Sequence, residues 1–242
     1  TAAAGGYAYI AHQPSRHAPI EEKSMVAYLR AKNVNHTCQI LPIGSIVKSA
    51  DKTKLANVLE MKEAGAVAFS TGNDQTLTVD ILSNALQYLK GFGARLMLHP
   101  EKKELSKNGQ INQGVMSIQM GFKGIPREAE TMAVEEIFPI LSYNDAEALI
   151  MNISTSDSIE KIKKHNQKKH QITTAVSSLH LSLDQSELED YDTSYKLSPP
   201  LRSKKDVAAL QKAALDGDID IIYSQHTPCT PEEKMLEFDH AD

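Results

Sequence analysis

Short apolar runs in this chain break repeatedly into polar segments, and those segments hold most of the side chains able to do chemistry. One run ends in Ala11-His12-Gln13-Pro14-Ser15-Arg16-His17, another in Ser70-Thr71-Gly72-Asn73-Asp74, and a third in His99-Pro100-Glu101. Later runs end in Asn152-Ile153-Ser154-Thr155, in Ser177-Ser178-Leu179-His180 and in Ser224-Gln225-His226-Thr227-Pro228-Cys229. Several neutral imidazoles suggest a zinc site, but a hydrolytic zinc also needs a carboxylate, which balances the ion's charge and acts as base for the bound water. Glu101 and Asp74 are the only acids near these endings, and both read as loop residues. Cys229 would need a neighbouring His to take its proton before it could act as a nucleophile. No such constellation is legible, so it reads as an inert thiol. His12, His17 and His36 read as exposed.

The elements that must position these endings follow from periodicity. Strands are expected near Gly6–Ala11, Thr37–Ile43, Ala66–Phe69, Arg95–Leu98, Ala148–Met151, Gln171–Val176 and Ile219–Ile222. Segments of helical period separate them, striped by Met25, Tyr28 and Leu29, by Leu55, Val58 and Leu59, and by Val79, Leu82, Leu86 and Leu89. Pro126 is expected in the first turn of a helix, Asp157 with Glu160 resembles a helix cap, Ser203 with Asp206 caps the last long helix, and Gly217 stops it. Seven apolar strands alternating with helices argue for parallel βαβ units with strands buried on both faces. No Gly-x-Gly-x-x-Gly follows any strand, which disfavours a dinucleotide fold. The favoured fold class is therefore an α/β (β/α)8 barrel of TIM type, seen as a single domain over 1–242, with chemistry at the strand ends.

Composition sets the outer bounds. The 242 residues are 41% hydrophobic, enough to bury a sizeable core, and the net charge of -5 leaves no nucleic-acid footprint. Two cysteines cannot build a disulfide framework and fit a reducing compartment. With no apolar run of membrane-spanning length and no charged-then-apolar signal at its opening, the expected location is cytoplasmic, with no membrane partner. The opening Thr1-Ala2-Ala3-Ala4-Gly5-Gly6 reads as a helix already passing into a strand, so the start of the fold is expected to precede it.

Collinear motifs then resemble a known family. They are Gly5-Gly6, Leu41-Pro42-Ile43-Gly44, Glu63-Ala64-Gly65-Ala66-Val67-Ala68-Phe69-Ser70, and Gly124-Ile125-Pro126-Arg127-Glu128-Ala129-Glu130. Further on come Ile153-Ser154-Thr155, Tyr191-Asp192-Thr193-Ser194-Tyr195-Lys196 with Pro199-Pro200-Leu201-Arg202, and Asp216-Gly217-Asp218-Ile219-Asp220 leading to Thr230-Pro231-Glu232-Glu233-Lys234. In these the chain resembles the dihydroorotases of the amidohydrolase superfamily. The resemblance implies an amidohydrolase-type barrel, strands two to eight of which lie in this chain. It also implies zinc-dependent interconversion of carbamoyl-aspartate and dihydroorotate in pyrimidine synthesis.

Residue by residue, the same resemblance argues against that chemistry. The family's His-x-His ligand pair lies on its first strand, expected before Thr1. Its Asp pair after Phe-Ser falls at Thr71 and Gly72, its next His ligand is kept as His99, and the following one is replaced by Asn152. The Asp that takes the substrate proton falls at Gln225. Of the pocket positions, Ser15 and Ser198 stand where the family has Asn, and Cys229 where it has His. His180 and His226 match family histidines and are expected to make structural hydrogen bonds inside the mouth. A carboxamide cannot serve as general base, and Asn is a poor zinc ligand. The expectation is a degenerate homologue that binds no zinc and acts as a structural or regulatory partner. The family implies aspartate carbamoyltransferase as that partner and a homo-oligomeric state. An active zinc-dependent cyclic-amide hydrolase, or a small-molecule binding module, are the alternatives.

Overall fold

Strand and helix alternate from the start of the chain: β1 (Tyr9–His12), α1 (Lys23–Lys32), β2 (Gln39–Ser45), α2 (Val58–Ala64), β3 (Ala68–Ser70), α3 (Val79–Lys90) and β4 (Leu96–Leu98). There follow α4 (Lys103–Ser106), β5 (Ile111–Asn112), α5 (Val115–Gln119), β6 (Gly124–Ile125), α6 (Glu128–Asn144), β7 (Ala148–Ile150), α7 (Ser156–Asn166), β8 (Ile172–Ser177), α8 (Ser178–Ser182), α9 (Lys204–Asp216), β9 (Ile221–Tyr223) and α10 (Pro231–Lys234). The computed structural model describes residues 1–15, 18–72, 77–169 and 171–241. Arg16, His17, Asn73 and Asp74 therefore lie outside the described residues. The chain forms two compact units, Thr1–His99 with Ile140–Leu149, and Pro100–Pro139 with Ile150–Asp242.

In the first unit the strands lie in the order β1-β2-β3-β4-β7. The pairs from β1 through β4 run parallel, with Ile10 opposite Ile40 and Gly44 opposite Phe69. Parallel neighbours need a crossover, which the intervening helices supply. Phe69 is the largest fully buried side chain, and Ile43, Ile46, Met61, Leu89 and Leu96 are sealed with it. Its ring lies on Gly44, where an added Cβ would stand 2.7 Å from the ring's Cε1. The stripe expected on α3 is correct for Leu82, Leu86 and Leu89, but Val79 is exposed. On α1 the buried residue is Val26, while Met25 and Tyr28 face out; on α2 it is Val58 with Met61, while Leu59 faces out.

In the second unit β8 and β9 pair in parallel, Ser177 opposite Tyr223. A small pair, β5 with β6, forms between β4 and α6, where no strand is expected. Ile111, Leu188 and Phe238 make a core cluster there with Met116, Phe122 and Tyr195 packed on it. Thr155, not Asp157, is the N-cap of α7, its side chain accepting from the Ser158 amide. Pro126 lies ahead of α6 rather than in its first turn. Ser203 caps α9 as expected, and Gly217 ends it with a left-handed φ of 79° that suits glycine.

Burial on both faces, expected of all seven strands, fails at two of them. All four residues of β1 are exposed, Tyr9 at 63%, and Ile221 and Ile222 of β9 are exposed as well. Both are terminal in the strand order, so each has a neighbour on one side only, among the described residues.

Candidate functional site

Glu130, in the first turn of α6, and Arg202, just before α9, are both 3% exposed. The Glu130 carboxylate accepts from the Ser154 amide at 3.1 Å, from the Thr155 amide at 3.0 Å and from the Thr155 hydroxyl at 2.8 Å. It also accepts from the Ser154 hydroxyl. Arg202 Nε donates to that same Ser154 Oγ at 3.1 Å, while its Nη1 donates to Asn112 Oδ1 at 2.8 Å and to the Ile125 carbonyl at 3.0 Å. Burial pulls the Arg202 guanidinium's pKa down, and the nearby Glu130 carboxylate works against that pull. Asp206 accepts from the Ser156 amide at 3.0 Å and binds Arg127 Nη2 at 2.7 Å. Burial raises the Asp206 carboxyl pKa, but the hydrogen bonds from Ser156 and Ser203, with Arg127 nearby, leave it below its ordinary value. Two carboxylates thus meet the amides at the start of α7, where the helix dipole favours negative charge. The Ile153-Ser154-Thr155 and Pro199-Pro200-Leu201-Arg202 motifs are joined by this buried network.

The network anchors a turn whose first residue, Asn152, is 3% exposed with a left-handed φ of 59°. His180, also sealed, bonds the Pro199 carbonyl through Nε2 at 3.0 Å, which makes Nε2 the protonated nitrogen and leaves Nδ1 without a partner. Gln225 donates through Nε2 to the Ser198 carbonyl at 2.8 Å, and its buried Oε1 has no partner. The Tyr223 hydroxyl is buried as well; it lies beside the Asn152 backbone amide without a well-formed hydrogen bond, and burial pushes its pKa up.

The second unit therefore brings together Asn152, His180, Ser198 and Gln225 from the sequence-derived set. Of these Ser198 contributes a carbonyl while its residue is exposed. Ser15, read as a pocket residue, is exposed, and its hydroxyl accepts locally from the Ala18 amide at 3.1 Å. Cys229 is half-buried with its sulfur 3.7 Å from the Thr227 carbonyl. His226, expected to bond inside the mouth, is exposed; His12 and His36 are exposed as expected. His99 is half-buried at the end of β4 in the first unit. Tyr223 and Asn112 escaped the sequence reading because nothing in their local spacing marks them, and Glu130 entered it only as the last residue of the Gly124–Glu130 motif, with no role assigned.

The zinc implied by the resemblance does not fit the residues present. Asn152 and Gln225 offer only neutral carboxamides, poor zinc ligands, and Gln225 is bonded to the backbone. Among the described residues the one group of three His, Cys, Asp or Glu side chains close enough to share an ion is exposed Glu237, Asp239 and His240, near the end of the chain.

The buried imidazole has a measurable consequence. Burial lowers the His180 pKa below its ordinary 6.5, with the Pro199 carbonyl opposing. A group that folds neutral and charges on unfolding contributes its full stability above pH 6.5 and loses it as pH falls below, toward the folded pKa. His165, lowered by burial with its ring stacked on Phe138, acts in the same direction. Denaturation midpoints should fall between pH 7.5 and pH 5.5, with a slope of at most about 1.4 kcal/mol per pH unit per histidine. His180→Asn should remove the larger part of that slope.

A family model described as Dihydro-orotase-like matches residues 1–155. Over 240 residues the chain is 34% identical to the dihydroorotase of Pelotomaculum thermopropionicum, covering 99% of this chain and 56% of that protein. It is 34% identical over 243 residues to the dihydroorotase of Caldicellulosiruptor saccharolyticus, covering 100% of this chain and 56% of that one. The chain thus spans about half the length of the curated relatives it matches. Among solved structures, L-hydantoinase (dihydropyrimidinase) from Arthrobacter aurescens superposes with a TM-score of 0.79 at 18% identity, covering 96% of this chain and 53% of that one. D-hydantoinase (dihydropyrimidinase) from Thermus sp. superposes at 0.80 and 20% identity, covering 100% and 56%. At such identity the likeness carries the fold: parallel α/β architecture of the barrel type.

Proposed function

Because the chain belongs to the dihydroorotase-like family of cyclic amidohydrolases, we propose that it is a family member without hydrolase activity of its own, acting as a structural or regulatory partner in pyrimidine biosynthesis. The observation that carries this reading is Gln225. At the position matched to the family's proton-accepting Asp stands a carboxamide that donates to the Ser198 carbonyl. An amide has no proton affinity near neutrality, so the step assigned to that position has no base. Asn152 and the weak donor set support the same conclusion.

The partner proposed is aspartate carbamoyltransferase, with the chain itself as a homo-oligomer. A cytoplasmic setting is proposed on the two free cysteines. Among the described residues no helix is long and apolar enough to cross a membrane. The test uses the full-length protein. Dihydroorotate turnover is expected at least about 10²- to 10⁴-fold below a working enzyme, the range that a positioned acid or base supplies. Zinc should be well below one per chain, and the protein should co-elute with aspartate carbamoyltransferase. Stoichiometric zinc with ordinary turnover would overturn the proposal, and failure to co-elute would remove the partner.

A further inference from the structure

Large apolar side chains stand in water around Phe122. Val115 and Ile118, three apart on one face of α5, are 71% and 81% exposed, Met235 is 83% exposed, and Leu236 and Tyr191 are exposed with them. One ring ties their segments together. The Phe122 amide folds back to donate to the Ser117 carbonyl at 2.9 Å, while its ring meets Tyr191 edge-on at 5.8 Å and stacks at 5.0 Å on Phe238, two residues beyond Leu236. Lys234 closes the same junction by donating to the Thr193 carbonyl at 3.1 Å. Beneath it lies the cluster of Ile111, Leu188 and Phe238, with Met116 and Met120 packed on it. The inner side of α5 is spent on that cluster, so Val115 and Ile118 turn outward. Single exposed apolar residues are ordinary, but several joined through one packed ring mark an interaction surface.

The charge around this surface has one dominant sign. Residues 187–192 and 231–241 hold eight carboxylates and one lysine, and Glu187, Glu189, Asp190, Asp192, Glu232 and Glu237 are all exposed. Other lysines near the ring are turned onto the backbone: Lys123 donates to the Lys107 carbonyl, and Lys196 to the carbonyls of Phe238 and Ala241. A second copy of the chain turned onto the same surface would set acid against acid, which costs affinity. The occupant must instead bring positive charge around an apolar stripe. Methionine suits such a partner, because its unbranched thioether repacks against side chains of different shape.

We propose that the face formed by Val115, Ile118, Tyr191, Met235 and Leu236 is a docking surface for a basic amphipathic helix of a partner protein. The helix lays its apolar stripe on these side chains and sets its lysines or arginines against the flanking carboxylates. Apolar contact then governs dissociation, while the acids speed encounter and reject acidic segments. Asn152, His180, Ser198 and Gln225 take no part, so the surface is independent of turnover at those residues and of aspartate carbamoyltransferase being the partner.

The probe is a leucine–lysine peptide of about 14 residues with its leucines at helical spacing, titrated calorimetrically into the full-length protein. It should bind saturably. Two controls should bind at least about tenfold more weakly: the same leucine pattern with glutamate in place of lysine, and the same composition in strict alternation, which has no helical stripe. Val115→Ser combined with Ile118→Ser should weaken binding at least about tenfold, with a melting temperature within about 2 °C of the parent because both side chains already face water. Glu189→Gln with Asp190→Asn should slow association and flatten its salt dependence, leaving dissociation nearly unchanged. Undiminished binding by the serine variant, or equal affinity for either control peptide, would overturn the proposal. So would a serine variant that melts several degrees lower, since the two side chains would then be covered within the full-length protein. A dimer of the parent that the serine pair abolishes would identify a second copy as the occupant and overturn it too.

Discussion

Glu130→Ala is expected to destabilise the protein by about 3–5 kcal/mol, the range seen when one member of a buried charged set is removed and its partners stay behind. The Ser154 and Thr155 amides and both hydroxyls lose their acceptor at once, and none can reach water without opening the start of α7. Arg202 would keep Asn112 and the Ile125 carbonyl but lose the carboxylate that offsets its burial. Glu130→Gln keeps the shape and one acceptor, so it should fall between parent and alanine variant. The measurement is the urea midpoint at constant slope, since a changed slope would report a different unfolding reaction. A loss under about 1 kcal/mol for Glu130→Ala would mean that solvent reaches this network far more readily than its burial implies.

The second large effect lies in the first unit. Phe69→Ala should cost about 3–5 kcal/mol through lost apolar burial and the void left behind. Relaxation has little to offer, because the ring rests on Gly44 and shares its surroundings with Met61. Filling the void from below would require moving β2, which is held on both sides by its parallel neighbours. Native-state amide exchange can localise the result: protection should fall on β2 and β3 first. A variant whose exchange pattern matches the parent there would show that the ring is not the keystone its burial suggests.

Comparing these elements with the amino-acid sequence shows what local pattern can carry. The seven parallel strands were legible because each is an apolar run bounded by turn residues, and alternation with helices implied their direction. β5 and β6 were not, because two-residue strands at Ile111–Asn112 and Gly124–Ile125 leave no run to recognise. Helical period gave the existence of α1 but not its buried stripe: Met25, Val26 and Tyr28 are close enough around the helix that packing decides which turns inward. At the start of α7, Thr155, Ser156, Asp157 and Ser158 are all competent caps, and the choice of Thr155 follows from Glu130 holding its amide. Asn152 and Gln225 were legible through the family's motifs. The Glu130 network was not, because Arg202 meets Asn112 across 90 residues and Ser154 across 48. No periodicity reports contacts of that range.

The two free thiols offer a practical handle. Cys38 lies in the first unit and Cys229 in the second, each partly accessible and neither in a disulfide. A fluorophore attached to Cys229, four residues beyond Gln225, would sense changes around the strand ends of its own unit, while one on Cys38 would serve as a reference reporter. With one cysteine replaced by serine in each preparation, the events of each unit could be followed by its own signal, without adding a residue that the chain does not already carry.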